Sequence, residues 1–186
     1  MKKITFTFIF VFIIANVYSQ NLAALDSKNG FRKFILGSPK ENYKNLVESE
    51  NKSSKKLNLK AYSYKGNDIK TVYNIEVQDI TLFFFKNKLS GIQCTFGKKG
   101  KEFNKSDFDE LYDALLVSYG STAKTPTNDS GNILNGYIWK GKKVTLEMFR
   151  IDFAKNKLNR DENDIIIGCI NVYDNYLQTQ IYKSEF

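Results

Sequence analysis

The sequence predicts an α+β protein in which two helix-plus-antiparallel-meander halves, about residues 31–96 and 106–173, pack as one domain. Three observations predict it. A well-marked helix start followed by alternating strand patterns occurs twice along the chain. Ile80-Thr81-Leu82-Phe83-Phe84-Phe85 is echoed by Val144-Thr145-Leu146-Glu147-Met148-Phe149, each ahead of a strand that contains a cysteine. Aromatic residues make up 15% of the chain, enough to fill the core that a domain of this length can bury. Structural duplication and convergent strand patterning explain the echo equally well.

In the first half, Asn29-Gly30 signals a turn and Phe31 to Leu36 reads as a short extended lead-in ending at Gly37. Ser38-Pro39-Lys40-Glu41 then predicts a helix start, with Ser38 as cap, Pro39 at the first helical position and Glu41 closing a capping box. Tyr43, Leu46 and Val47 supply its apolar stripe, and the helix is expected to end near Glu48. Leu57, Leu59 and Ala61 alternate with polar residues, as do Tyr73, Ile75 and Val77. Gln78-Asp79 breaks the phase, and Ile80 to Phe85 becomes apolar on both sides, the pattern of a strand covered from both faces. Lys86-Asn87-Lys88 reads as a hairpin turn without glycine, leading into the alternation of Ile92, Cys94 and Phe96.

In the second half, Ser106 with Asp109 reads as the helix start. Phe108, Leu111, Tyr112, Leu115 and Tyr119 share one face, and Gly120 can end the helix. Residues 121–136, rich in Ser, Thr, Asn and Gly, are expected to be a loop. Tyr137-Ile138-Trp139, a turn at Lys140-Gly141-Lys142 and the run from Val144 to Phe153 form a hairpin, with Trp139 read as core. Residues 154–164 are a polar crossing, and Ile165 to Tyr173 is the last strand. Leu177 and Ile181, four apart, suggest a short terminal helix.

Residues 1–19 predict destination. Met1-Lys2-Lys3 is a positive n-region, Ile4 to Ala15 is an uncharged apolar run, and Ser19 is a small residue before polar Gln20. This is the layout of a cleaved secretory signal, with cleavage expected after Ser19 and a domain spanning residues 20–186. The apolar run is shorter than the ~20 residues that cross a bilayer, so no stable membrane span is expected after cleavage. A secreted or periplasmic location follows as the expectation.

Gly37-Ser38-Pro39, Phe85 with Lys88-Leu89 and Ile92, Leu115 with Tyr119-Gly120, and Trp139 with Gly141, Val144 and Leu146 together resemble a broad group of small exported α+β domains of Gram-negative bacteria. In that group a helix precedes a meander twice over, and most members have no assigned activity. The layout is more loosely similar to small outer-membrane-assembly lipoproteins and to proteinaceous β-lactamase inhibitors. No cysteine follows the apolar leader, so lipid attachment there is not expected. The resemblance implies no functional residue, because its matching positions are turns, caps and core.

The available chemistry is narrow. There is no histidine, which removes Ser-His-Asp and Cys-His nucleophilic systems, His-based metal sites and the commonest general base. No catalytic residue, metal or cofactor is expected. Asp109 and Asp113 share a helical face and could pair in acid–base work, or simply complement the helix dipole beside Asp107 and Glu110. Asp161-Glu162-Asn163-Asp164 fails the calcium-loop template, since Ile165 stands where a ligand belongs.

Cys94 and Cys169 could form a disulfide in an oxidising compartment or pack as buried thiols. Lys98, Lys99 and Lys101, with Lys105, form the densest positive stretch and a possible anion-binding loop ahead of the helix. The net charge of +8 is almost entirely lysine. With so few arginines and an exported destination, nucleic acid is not an expected partner; the dispersed lysines read first as a solvated surface, and the partner is left open, with an envelope protein and an anionic glycan or lipid as the candidates. The function expected is a non-catalytic binding or interaction module of the periplasm or cell exterior. The alternatives are a carboxylate-dependent hydrolase of envelope material and an inhibitor of a secreted protein.

Overall fold

A computed structural model of the chain describes residues 22–98, 100–121, 123–124, 132–153 and 165–184. The fold is α+β, as the sequence predicts. Residues 22–28 form helix α1. A two-stranded hairpin follows, β1 (Gly30–Phe31) with β2 (Phe34–Ile35). Then come β3 (Leu46–Glu48), β4 (Leu59–Tyr64), β5 (Thr71–Val72), β6 (Ile75–Phe85) and β7 (Lys88–Phe96). Helix α2 (Lys105–Tyr119) opens the second half, followed by β8 (Ala123–Lys124), β9 (Ile133–Lys140), β10 (Val144–Asp152), β11 (Ile166–Asp174) and helix α3 (Asn175–Lys183).

The strands other than β1 and β2 form one antiparallel sheet in the order β3-β4-β6-β7-β11-β10-β9-β8, with β5 pairing β6 off that path. Each half therefore runs from an outer edge to the centre, and the two halves meet where β7 pairs β11. A helix does precede antiparallel strands twice, but the first helix is α1 and not the segment expected from the sequence.

The helix expected over residues 38–48 is absent. Lys40–Asn42 is a single 3-10 turn, and Leu46–Glu48 pairs with Tyr62–Tyr64 as a strand. Tertiary contacts override the local signal. The backbone just before Pro39 bonds to β7, with Gly37 N donating to Leu89 O at 2.8 Å and Leu89 N to Ser38 O at 2.8 Å. Tyr43 lies against Phe34 and Phe84, and its hydroxyl bonds both the N–H and the carbonyl of Ile35. Asn45, with φ at 60°, turns the chain into β3.

Helix α2 forms as expected, with its cap two residues earlier. Asn104 accepts from Asp107 N at 2.9 Å, and the Asp107 carboxylate accepts from Asn104 N at 3.2 Å. This reciprocal box satisfies N–H groups that the first turn leaves without helical partners. Phe108, Leu111, Leu115 and Tyr119 are buried against the sheet, each side chain worth roughly 1.5–3 kcal/mol on transfer from water. Trp139 is wholly buried, and its indole N–H donates to Gly120 O at 3.0 Å. Part of the stretch expected to be loop is strand: β8 lies within it and β9 starts at Ile133.

Two hairpins turn without glycine. Tyr73 and Asn74 join paired Val72 and Ile75, and Lys86 and Asn87 join paired Phe85 and Lys88. All four turn residues have positive φ, between 48° and 67°. These are the dihedrals of the type I′ turn, whose twist matches that of the strands. Asparagine tolerates them best among non-glycine residues.

The turn between β9 and β10 is held from α1. The Asp26 carboxylate accepts three backbone N–H bonds, from Lys142 and Lys143 at 2.8 Å and from Val144 at 2.9 Å. A side chain at Gly141 would collide with that carboxylate, since an added Cβ would stand 2.3 Å from Oδ1. Burial works to raise the Asp26 pKa, but the backbone donors together with Lys143 outweigh it and hold the group below its ordinary value.

Two outcomes test these readings. Asp26→Ala is expected to lower the unfolding free energy by about 2–3 kcal/mol at neutral pH, in line with bonds to a charged acceptor. Because the native pKa is the lower one, that contribution is present above the unfolded carboxylate value of about 3.9. It disappears as pH falls through the native value, so wild-type and variant denaturation curves should converge in acid. At the Tyr73-Asn74 turn, Asn74→Val should cost about 1–2 kcal/mol while Asn74→Gly costs nothing, measured by chemical denaturation.

Candidate functional site

Alternation along the strands gives the sheet two unlike faces. One carries Tyr62, Leu82, Ile92, Cys94, Phe96, Ile170, Val172, Leu146, Met148 and Trp139, all in the core beneath α2. The other carries the residues between them. There, helix α3 packs Leu177 and Ile181 against Phe85, Leu57 and Leu59 at one end. Among the described residues no other α-helix packs on that face, and the 3-10 turn Glu50–Lys52 reaches its edge through Lys52.

A polar row crosses this second face at the level where β7 meets β11. Cross-strand register aligns Ser63, Thr81, Gln93, Asn171 and Glu147. Gln93 Nε2 donates to Asn171 Oδ1 at 3.2 Å, and the Cys169 thiol donates to the same oxygen at 3.2 Å. One step along the strands, the Tyr173 hydroxyl donates to Glu147 Oε1 at 2.9 Å. Burial, followed by the Glu147 charge and that hydrogen bond, pushes the Tyr173 phenol well above its ordinary pKa, so it stays a donor at any physiological pH. Thr81 is buried; its hydroxyl accepts from Lys52 Nζ at 3.0 Å and donates to Asp79 at 3.0 Å.

Around the row stand Phe83, Thr95, Ile138, Phe149, Ile151 and Ile167, all half-buried. The result is a strip of amide, hydroxyl and carboxylate groups with apolar flanks. It can accept and donate hydrogen bonds and cover apolar surface. Its one thiol is a poor nucleophile, since burial pushes the Cys169 pKa up to about 12. Among the described residues no cluster of three metal-ligating side chains occurs.

The residues singled out in the sequence fall elsewhere. Cys94 and Cys169 are both buried and both free, which overturns the possible disulfide. The register explains it: Cys94 pairs with Ile170 and Cys169 with Thr95, so neighbouring strands send the two thiols to opposite faces. Lys98 and Lys101 do come together, but around a carboxylate. Both ammonium groups lie 2.9 Å from Glu76, whose carboxyl hydrogen bonds from Lys101 and Lys98 hold its pKa down at about 2. Lys105 pairs with Asp109 at 2.5 Å. The loop thus meets internal anions first, and Lys99 lies outside the described residues.

With Asp109 paired to Lys105 and Asp113 exposed on α2, these acids do not converge on a cleft with other carboxylates. The leader, residues 1–19, and the failed calcium loop at 161–164 also lie outside the described residues. Gln93, Asn171, Glu147 and Tyr173 were missed because a polar residue at every second strand position reads as ordinary solvent face. Only the pairing of β7 with β11 aligns them.

Comparison with family models, curated proteins and solved structures finds no match in any of the three. Among the described residues no helix is long and apolar enough to cross a membrane.

The thiol assignment is checked with Ellman's reagent. Neither cysteine should react in the folded protein, and two thiols per chain should react after denaturation without reductant.

Proposed function

We propose that the chain is an exported, non-catalytic binding module of the periplasm or cell exterior, which engages an envelope protein through the face opposite α2. The observation that carries this reading is the half-exposed strip centred on Gln93, Asn171 and Glu147, flanked by aromatic and branched apolar side chains. Interfaces of ordinary strength combine such an apolar surround with directional polar groups. The strip lies on strands, not loops, so its groups are held in place before a partner arrives, which lowers the ordering cost of binding. The chemistry favours binding over turnover: the thiol is protonated, the phenol is protonated, and histidine is missing from the chain.

The test is capture from an envelope extract by the immobilised protein, with paired variants. Gln93→Ala combined with Asn171→Ala should reduce the captured protein about tenfold, equivalent to about 1.4 kcal/mol, at unchanged circular dichroism. Val117→Arg, on the exposed side of α2, should leave capture intact. Capture that survives the double variant, or that is lost with Val117→Arg, would place the contact elsewhere and end this reading.

A further inference from the structure

The main sheet path ends at β3, and the outer side of that strand is open. Lys65 N donates to Asn45 O at 2.8 Å and Ser49 N to Ala61 O at 2.8 Å, with Val47 opposite Ser63 between them. Hydrogen-bonded pairs alternate along an antiparallel ladder, so residues 45, 47 and 49 bond inward to β4. Leu46 and Glu48 therefore turn their backbone N–H and C=O groups away from the sheet. No described residue bonds those groups.

Proteins commonly blunt such an edge with a proline, a bulge or a charge at the middle of the strand. In β3 the register runs from Leu46 to Glu48 without a shift, and the middle residue is a valine. Val47 is 56% exposed, on the side of the sheet that carries Ser63 and Thr81. Leu46 points the other way and packs on the core.

The segment around Val47 is complementary to its own reverse. Lys44 stands just before the strand and Glu50 just after it, equally far along the chain from Val47. Both are exposed, and neither makes an ion pair with any described residue. Two copies laid antiparallel about Val47 bring the lysine end of each strand to the glutamate end of the other. Leu46 of one copy then exchanges backbone hydrogen bonds with Glu48 of the other, twice over by symmetry. The two Val47 side chains meet in the non-hydrogen-bonded position, where cross-strand contact is closest. The Glu48 carboxylates stand diagonally across the pair, each with Lys60 of its own chain 3.9 Å away.

We infer that β3 is a dimerisation edge, pairing antiparallel with β3 of a second copy of this chain about a two-fold axis at Val47. The contact is isologous and closed, so each copy uses up the edge it offers. It is made by backbone at the rim of the sheet and does not depend on what the Gln93–Asn171 strip binds.

A contact this small belongs with weak, transient interfaces, and its dissociation constant is expected on the order of 100 µM. Sedimentation equilibrium of the purified protein over a concentration series spanning that value should show a monomer–dimer equilibrium. Hydrogen exchange should show the Leu46 and Glu48 amides gaining protection as concentration rises, while the Val47 amide is protected throughout. Val47→Lys, which sets two ammonium groups face to face, and Glu48→Pro, which removes an outward N–H alone, should each abolish the dimer at unchanged circular dichroism. Lys44→Glu and Glu50→Lys, each made alone, should weaken it about tenfold, since each turns two attractions into repulsions. Mixed together, these two single variants should associate with each other as wild type does, and the double reversal should restore wild-type affinity. A chain that stays monomeric at every concentration overturns the proposal, as does a dimer that survives both Val47→Lys and Glu48→Pro. Protection of the two amides that appears only when envelope extract is added also overturns it, because the edge then takes a foreign strand.

Discussion

The pairing of β7 with β11 is the constraint on which the rest of the structure depends. It joins strands whose contacting side chains, Gln93 and Asn171, stand 78 residues apart, and it is the one seam between the two halves of the main sheet path. Its register decides what each face contains. With Cys94 opposite Ile170 and Gln93 opposite Asn171, the apolar members fall beneath α2 and the amides fall on the other side. A slip by one residue on either strand would exchange them, burying amides under Phe108 and Leu111 and turning Ile170 outward. The hydrophobic cost of that exchange is what holds the seam in place.

Secondary clamps then fix the outlying elements. The turn at residues 141–143 is gripped from both ends of the described chain. Asp26 in α1 accepts its N–H groups, while the Asn175 side chain at the start of α3 donates to Gly141 O at 3.1 Å. Asn175 N adds a bond to Lys143 O at 2.9 Å. Near the opposite edge, Lys33 ties the β1–β2 hairpin to the main sheet by bonding both the Tyr64 hydroxyl and Asp68, each at 2.6 Å. On the closed face Phe103 lies flat over Gly168, where an added Cβ would stand 2.6 Å from the ring. Each clamp joins segments distant in sequence, so each resists fraying that local propensity alone would permit.

Charge follows the same logic of distance. The dense run at residues 98–105 contains three lysines that fold back onto two carboxylates, Lys98 and Lys101 onto Glu76 and Lys105 onto Asp109. Sequence density of charge does not give the charge that a surface presents, because carboxylate partners arrive from elsewhere in the chain.

What the sequence by itself determined is the class of structure and much of its core. Strand alternation located β4, β6, β7, β10 and β11; helical spacing located α2; and Trp139, Ile92 and the Phe108, Leu111 and Leu115 face could be named as interior before any coordinates, because periodicity records which side of an element avoids water. The absence of histidine likewise restricted the chemistry without reference to shape. Only the tertiary structure decided the rest. It converted a well-capped helix signal at Ser38 into a turn and a strand, because backbone pairing with β7 and the seating of Tyr43 on Phe34 and Phe84 outweigh a local preference of this size. It separated two cysteines that their strands bring close, and it assembled the Gln93–Asn171 row. Those depend on register and on which distant segments become neighbours, and a one-dimensional pattern carries the period of each strand but not its partner.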